Sequence, residues 1–203
     1  MSRISLILVI GIAEALPCLI VRGAQEPTGR AIKTCVTISG AQSHMETRQY
    51  HRITSDEVWM RIWQKHMGKS WQERRERIAQ RRTNPNDLRD PITAPMIDFD
   101  NYMVVAIFSG ECRNCTGLTV ASIYEEDKRI VFKYERVSYQ TMAHIGTRKG
   151  GDMVTVFGLF VLPRSTKPIV VVENVQNELG APPVWKECIT LPELVDRPGE
   201  KKR

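Results

Sequence analysis

The residues with the most distinctive chemistry are two cysteines, Cys112 and Cys115, separated by two residues. Such a pair supports thiol–disulfide exchange when a helix amino terminus or a nearby cation lowers the pKa of one thiol. Here the pair lies between two predicted strands, and Arg113 is the only adjacent cation. The setting therefore favours a structural disulfide that clips a loop, with redox activity as an alternative.

The other polar residues show no signature of a catalytic, metal or cofactor site. The chain has neither a His-Glu-x-x-His pattern nor a Gly-x-Ser-x-Gly elbow, and its glycines fit neither a Walker nor a Rossmann phosphate loop. The four histidines are scattered and no two are four residues apart: His44, His51, His66 and His144. We therefore predict no enzyme activity, no metal and no cofactor.

The composition is that of a globular protein. Of 203 residues, 42% are hydrophobic and 26% are charged, which argues against disordered, collagen-like and multi-span membrane proteins. The net charge is +6, but carboxylates interleave with the basic residues of the segment from Lys65 to Asp90. That pattern is typical of a solvated surface, so we predict no nucleic-acid partner.

The amino terminus has the pattern of a secretory signal peptide. A short basic start precedes an apolar run over residues 4–12, and Glu14 and Pro17 interrupt the apolar stretch before it could span a membrane. Bulky residues precede Cys18, which argues against a lipid anchor at that position. We expect removal of residues 1–23 and export to a periplasmic or extracellular space.

Signal removal leaves an even number of cysteines. Cys35, Cys112, Cys115 and Cys188 then remain in an oxidising compartment, where three pairings are allowed. We favour Cys112 with Cys115 and Cys35 with Cys188, since the second bond would tie the first strand to the last ordered segment.

One helix and a second, basic helix are predicted in the first half of the chain. Residues 54–57 form a capping box, so a helix begins there and ends near Gly68. Trp59 and Trp63 belong to an apolar stripe at helical spacing, which predicts packing against a core. A second capping box precedes the charged segment 73–82.

The remaining pattern predicts strands joined mainly by short turns. We expect residues 118–134 to form one hairpin and residues 153–172 another. The fold class is therefore α+β, a predominantly antiparallel sheet (sandwich or half-barrel) braced by one N-terminal helix, with the second basic helix. We divide the chain into an N-terminal strand and helix region (24–95), an antiparallel β domain (96–191) and a charged tail (192–203). The predicted strands are Ala31–Ile38, Gln49–Ile53, Tyr102–Phe108, Leu118–Tyr124, Ile130–Tyr134, Met153–Leu162 and Ile169–Val172.

Residues 53–175 resemble the family of bacterial protease complex subunits known as PrcB. Residues 53–59 are similar to the helix start that precedes the family's sheet, and residues 97–111 to its opening Asp-Phe strand with a glycine-ended exit. Residues 159–170 are similar to the family's closing hairpin. The resemblance implies an exported, non-catalytic domain that associates with a protease and supports its complex.

The family's loop after the opening strand usually contains Pro-Thr-Gly-Gly-Tyr. Thr116 and Gly117 match this pattern, whereas Cys115 stands at the position of the proline. The Thr-Gly pair is also similar to the inhibitory loop of chagasin-like protease inhibitors. We therefore predict a binding surface at Arg113, Asn114, Thr116 and Gly117, with protease inhibition through Thr116–Gly117 and thiol–disulfide activity of Cys112 and Cys115 as alternatives.

Overall fold

The structure is a computed structural model that describes residues 29–68, 94–139, 153–176 and 181–194. The predicted signal segment (1–23), the second basic helix (73–82) and most of the charged tail lie outside the described residues. Within them the chain is dominated by strands and has a single helix, which confirms a β-sheet-dominated α+β fold. No described helix is long and apolar enough to span a membrane.

Nine strands form two sheets in the described part of the chain. One sheet has five strands in the order β1-β5-β6-β8-β9, and the other has four in the order β2-β7-β4-β3. All pairs are antiparallel except β6 and β8. The strand bounds are β1 Arg30–Ala31, β2 Val36–Gly40, β3 Gln49–Ile53, β4 Tyr102–Arg113, β5 Cys115–Glu125, β6 Ile130–Ser138, β7 Met153–Pro163, β8 Ile169–Asn174 and β9 Trp185–Leu191.

Helix α1, Asp56–Met67, covers the outer face of the four-stranded sheet. Trp59 and Trp63 are buried against this sheet, as their helical spacing predicted. The helix ends at Gly68, which has a φ of 75° and donates its N–H to the carbonyl oxygens of Gln64 and Lys65. At the other end the predicted capping box is wrong, since Ser55 is the N-cap residue and its side chain makes no capping bond.

Strand β4 lies between two hydrophobic cores, which explains its long run of apolar residues. Alternate side chains of a strand point to opposite faces of its sheet. Val104, Ala106 and Phe108 face the helix, whereas Met103, Val105 and Ile107 face the five-stranded sheet. The molecule therefore has three layers: a helix, a four-stranded sheet and a five-stranded sheet.

The predicted hairpin over residues 153–172 is wrong. β7 lies in the four-stranded sheet, whereas β8 lies in the five-stranded sheet, parallel to β6 and antiparallel to β9. The loop between them carries the chain from one sheet to the other, and Pro168 in this loop accepts a hydrogen bond from the N–H of Ile130. An apolar run indicates that a strand forms but does not specify its partner.

The amino-terminal strands close one side of the sandwich. β1 pairs with β5 of the five-stranded sheet, and β2 pairs with β7 of the four-stranded sheet. Both predicted regions, 24–95 and 96–191, therefore contribute strands to the same two sheets. The hydroxyl of Ser39 bridges the sheets, since it accepts the Leu118 N–H at 2.6 Å and donates to the Leu118 carbonyl oxygen at 2.7 Å.

Candidate functional site

The corner between β4 and β5 consists of one residue, Asn114. Its φ of 56° lies in the left-handed region, which asparagine tolerates better than most residues. This conformation turns the chain from the four-stranded into the five-stranded sheet. On either side of the corner, the sulfur atoms of Cys112 and Cys115 lie at disulfide distance, with their Cα atoms 6.0 Å apart.

The disulfide is part of the core between the sheets. Cys112 is 8% exposed and Cys115 is 3% exposed, and both pack within the inter-sheet cluster. A disulfide exchanges when a thiolate reaches one of its sulfur atoms, so burial of both residues opposes exchange. The geometry favours the predicted structural clip over the redox alternative.

Thr116 and Gly117 belong to strand β5 and do not form a protruding loop. The Thr116 hydroxyl donates to the carbonyl oxygen of Val137 at 3.3 Å, and Gly117 pairs with Val137 in the β5–β6 register. Gly117 is buried, and an added Cβ would lie 2.5 Å from the Oγ of Ser39. Of these two predicted binding residues, Thr116 is exposed. Gly117 is buried, and its lack of a side chain allows β5 to pack closely against Ser39.

Large exposed hydrophobic side chains lie at the same end of the sandwich as this corner. Val137 is 41% exposed, Tyr139 is 40% exposed and Met153 is 52% exposed. Met153 pairs with Arg113 across β4 and β7, and the Tyr139 N–H donates to the Asn114 carbonyl oxygen at 2.9 Å. We call this surface the clipped end; it comprises Arg113, Asn114, Thr116, Val137, Tyr139 and Met153.

The sequence indicated only part of the clipped end. The hydrophobic residues lie in β6 and β7 or directly beside them, and their types suggest ordinary core positions. These side chains are exposed because they lie near the ends of their strands. The residue pattern does not specify where a strand ends relative to its neighbours. The local signal was the Cys-x-x-Cys spacing, which correctly marked the rigid corner.

The structure does not join Cys35 to Cys188, and both are free cysteines. Cys35 precedes β2, which runs beside β5, whereas Cys188 lies in β9, which runs beside β3. Because β2 and β3 are opposite edges of the four-stranded sheet, the two thiols lie on opposite sides of the sandwich. The predicted bond would have to cross the core.

A row of polar side chains seals the side of the sandwich where β3 approaches β9. Every second residue of an extended strand points to the same face, and this places the side chains of Arg48, Tyr50 and Arg52 together. Tyr50 contributes its hydroxyl, 3.2 Å from that of Tyr134, and Arg52 donates to the carbonyl oxygens of Lys167 at 2.8 Å and of Ser165. We call this row, together with its side-chain partners, the polar seam; the partners are Tyr134, Arg136 and Glu173.

Glu173 is the buried charge of the polar seam. It is only 1% exposed, and its carboxylate accepts from Arg48 at 3.0 Å and from Arg136 at 2.6 Å. A buried carboxylate is stable only when it is paired in this way. No local sequence pattern marks this cluster, because its members come from separate segments of the chain.

The tyrosines of the polar seam are held in their neutral form. Burial raises the pKa of Tyr50 to about 12, and burial together with the hydrogen bond between the two hydroxyls raises the pKa of Tyr134 further. The two tyrosines engage each other, and Arg48 and Arg136 engage Glu173, which indicates a sealing role. Among the described residues, no three His, Cys, Asp or Glu side chains come close enough to hold a metal ion.

No family model, curated protein or solved structure matches the chain. The candidate site is therefore defined by the geometry of the clipped end alone.

Proposed function

We propose that the chain is an exported, non-catalytic module that binds another protein through the clipped end. The observation that carries the proposal is the exposure of Val137, Tyr139 and Met153 around a disulfide-clipped corner. Aromatic residues and methionine are enriched at protein–protein interfaces, and a preorganised surface loses little conformational entropy on binding.

Export is supported by two features of the chain. Residues 4–12 have the composition and length of a signal-peptide core. The disulfide between Cys112 and Cys115 is a feature that persists in oxidising compartments and is rare in the cytosol.

A protease, or another envelope protein complex, is the proposed partner, and this rests on the resemblance of residues 53–175 to PrcB. The support for an inhibitor acting through Thr116–Gly117 is weaker, because both residues belong to strand β5: Gly117 pairs with Val137, and the Thr116 hydroxyl donates to the Val137 carbonyl oxygen. A protein that supports a protease complex needs a stable contact surface. It does not need a loop that inserts into the active site of the protease. We therefore propose a supporting role.

The test is capture of partners from the exported fraction of the source cells, with the mature chain as bait. Met153→Glu places a charge at the clipped end, whereas Met96→Glu changes a fully exposed methionine in the segment before β4. A central interface residue contributes about 1 kcal/mol or more, so we expect Met153→Glu to weaken binding about fivefold or more. Met96→Glu should bind like wild type.

Activity of a captured protease, assayed with and without the chain, then distinguishes a supporting from an inhibitory role. Increased or prolonged activity is the expected result. Equal capture by wild type and Met153→Glu would contradict the proposed surface, and capture without any protease would contradict the proposed partner class.

A further inference from the structure

A second concave site lies at the carboxyl-terminal end of α1, on the outer face of the four-stranded sheet. The cavity has a volume of about 460 Å³. Cavities of about 300–1,000 Å³ with mainly apolar walls and a few polar groups are typical of small-molecule sites. The walls include Ile38, Ala41, Gln42, Trp63, Met67 and Phe157.

His66 supplies a buried polar group to this mainly apolar cavity. The side chain is 3% exposed, and its ring lies 4.1 Å from that of Phe157 between centroids. Nδ1 lies 2.9 Å from the Oγ of Ser43. Nε2 is not among the fully buried polar atoms that lack a hydrogen-bond partner, so this edge of the ring reaches the open space that His66 lines.

The hydrogen bonds of Ser43 determine which nitrogen of His66 carries the proton. The Met45 N–H donates to the Oγ of Ser43 at 3.1 Å. The Ser43 hydroxyl is buried, and among the described residues Nδ1 of His66 is the acceptor within reach of its proton. We therefore assign the proton of this hydrogen bond to Ser43, and a neutral imidazole then carries its own proton on the other nitrogen. The ring proton is then on Nε2, and this N–H has no hydrogen-bond partner among the described residues.

The imidazole is neutral near pH 7. Burial, with a smaller contribution from the nearby His44, lowers the pKa of His66 to about 4. The cavity thus presents an uncharged ring N–H within mainly apolar walls, with Gln42 as a further uncharged polar side chain. Such walls oppose the binding of charged groups, because a charge that leaves water without a counter-ion is strongly destabilised.

We propose that this cavity binds a neutral, largely apolar small molecule that bears a carbonyl group. The carbonyl oxygen accepts the Nε2–H of His66, and the apolar body contacts Trp63, Met67 and Phe157. The acceptor satisfies the one unpartnered polar group of the ring, so the site prefers a ketone, ester or amide to a hydrocarbon of the same shape.

Two probes that differ in one group test this preference. Butyrophenone has a carbonyl where butylbenzene has a methylene, and equilibrium dialysis against the mature chain gives both dissociation constants. In His66→Phe the ring packing is retained and the donor is lost. Since one hydrogen bond contributes about 1 kcal/mol net, we expect butyrophenone to bind about fivefold more weakly to this variant, with butylbenzene nearly unchanged.

A blocking variant provides the control. Ala41→Phe fills the cavity without removing a buried polar group, so both probes should lose binding. Far-UV circular dichroism confirms that each variant is folded. The proposal is overturned if neither probe binds wild type, if His66→Phe changes both probes alike, or if the folded Ala41→Phe still binds either probe.

Discussion

Acidification should destabilise the protein through His66, because this buried side chain is neutral in the fold. Ser43, Trp63, Phe108 and Phe157 surround the ring. Burial, and then the nearby His44, lower its pKa from 6.5 to about 4. The unfolded chain therefore binds a proton at a higher pH than the folded protein does. Stability is present above pH 6.5 and is lost as the pH falls toward 4.

The size of the effect follows from this shift. At pH 5 the unfolded histidine is almost fully protonated and the folded one is almost fully neutral, which corresponds to a loss of about 2 kcal/mol relative to pH 7. Burial also lowers the pKa of His51, which acts in the same direction. The contribution of His66 must therefore be measured as a difference between variants.

Urea unfolding at pH 7, 6 and 5 gives the free energy of unfolding for wild type, His66→Phe and His51→Gln. We expect His66→Phe to lose less stability than wild type between pH 7 and pH 5, by about 2 kcal/mol, because it has no group to protonate. His51→Gln should retain most of the wild-type loss. Parallel curves for wild type and His66→Phe would refute the reasoning.

Two further predictions concern the two sides of the sandwich. Ser39→Ala should cost about 0.5–1.5 kcal/mol in urea unfolding, because the N–H and carbonyl groups of Leu118 lose the hydroxyl that bridges the sheets. Thr37→Ala removes a hydroxyl from another exposed position of the same strand and should change little, so equal costs would argue against the bridge. Glu173→Gln should cost about 1–3 kcal/mol, because it removes the charge that two arginines bind. A cost no greater than that of Glu111→Gln, at an exposed position of β4, would show that the ion pairs add nothing to stability.

The periodicity of the sequence predicted which segments form strands and a helix better than it predicted which strands pair. Residues 49–53 and the helix ending at Gly68 were correctly predicted, since apolar spacing and a glycine terminator are local signals. The pairing of β8 with β6 and β9 was not predicted, because it depends on which sheet the chain enters after residue 163. Strand β9 itself was not predicted either.

The candidate sites divide in the same way. The Cys112–Cys115 clip depends on residues three positions apart, so its spacing was visible in the sequence. The ion pairs of Glu173 and the contact between Ser43 and His66 join residues that are distant along the chain. The exposure of Tyr139 and Met153 likewise depends on how distant segments pack. No local pattern encodes these contacts.

The sequence by itself determined a β-rich fold, the helix that ends at Gly68 and the cysteine spacing at the corner between β4 and β5, and it contains an apolar run typical of export. Only the tertiary structure decided that Gly117 is buried against Ser39, that Cys35 and Cys188 lie on opposite sides, and that His66 lines a cavity. The physical reason is that side-chain periodicity fixes which face of an element is buried. The packing of two sheets and a helix then decides which side chains meet and which remain exposed.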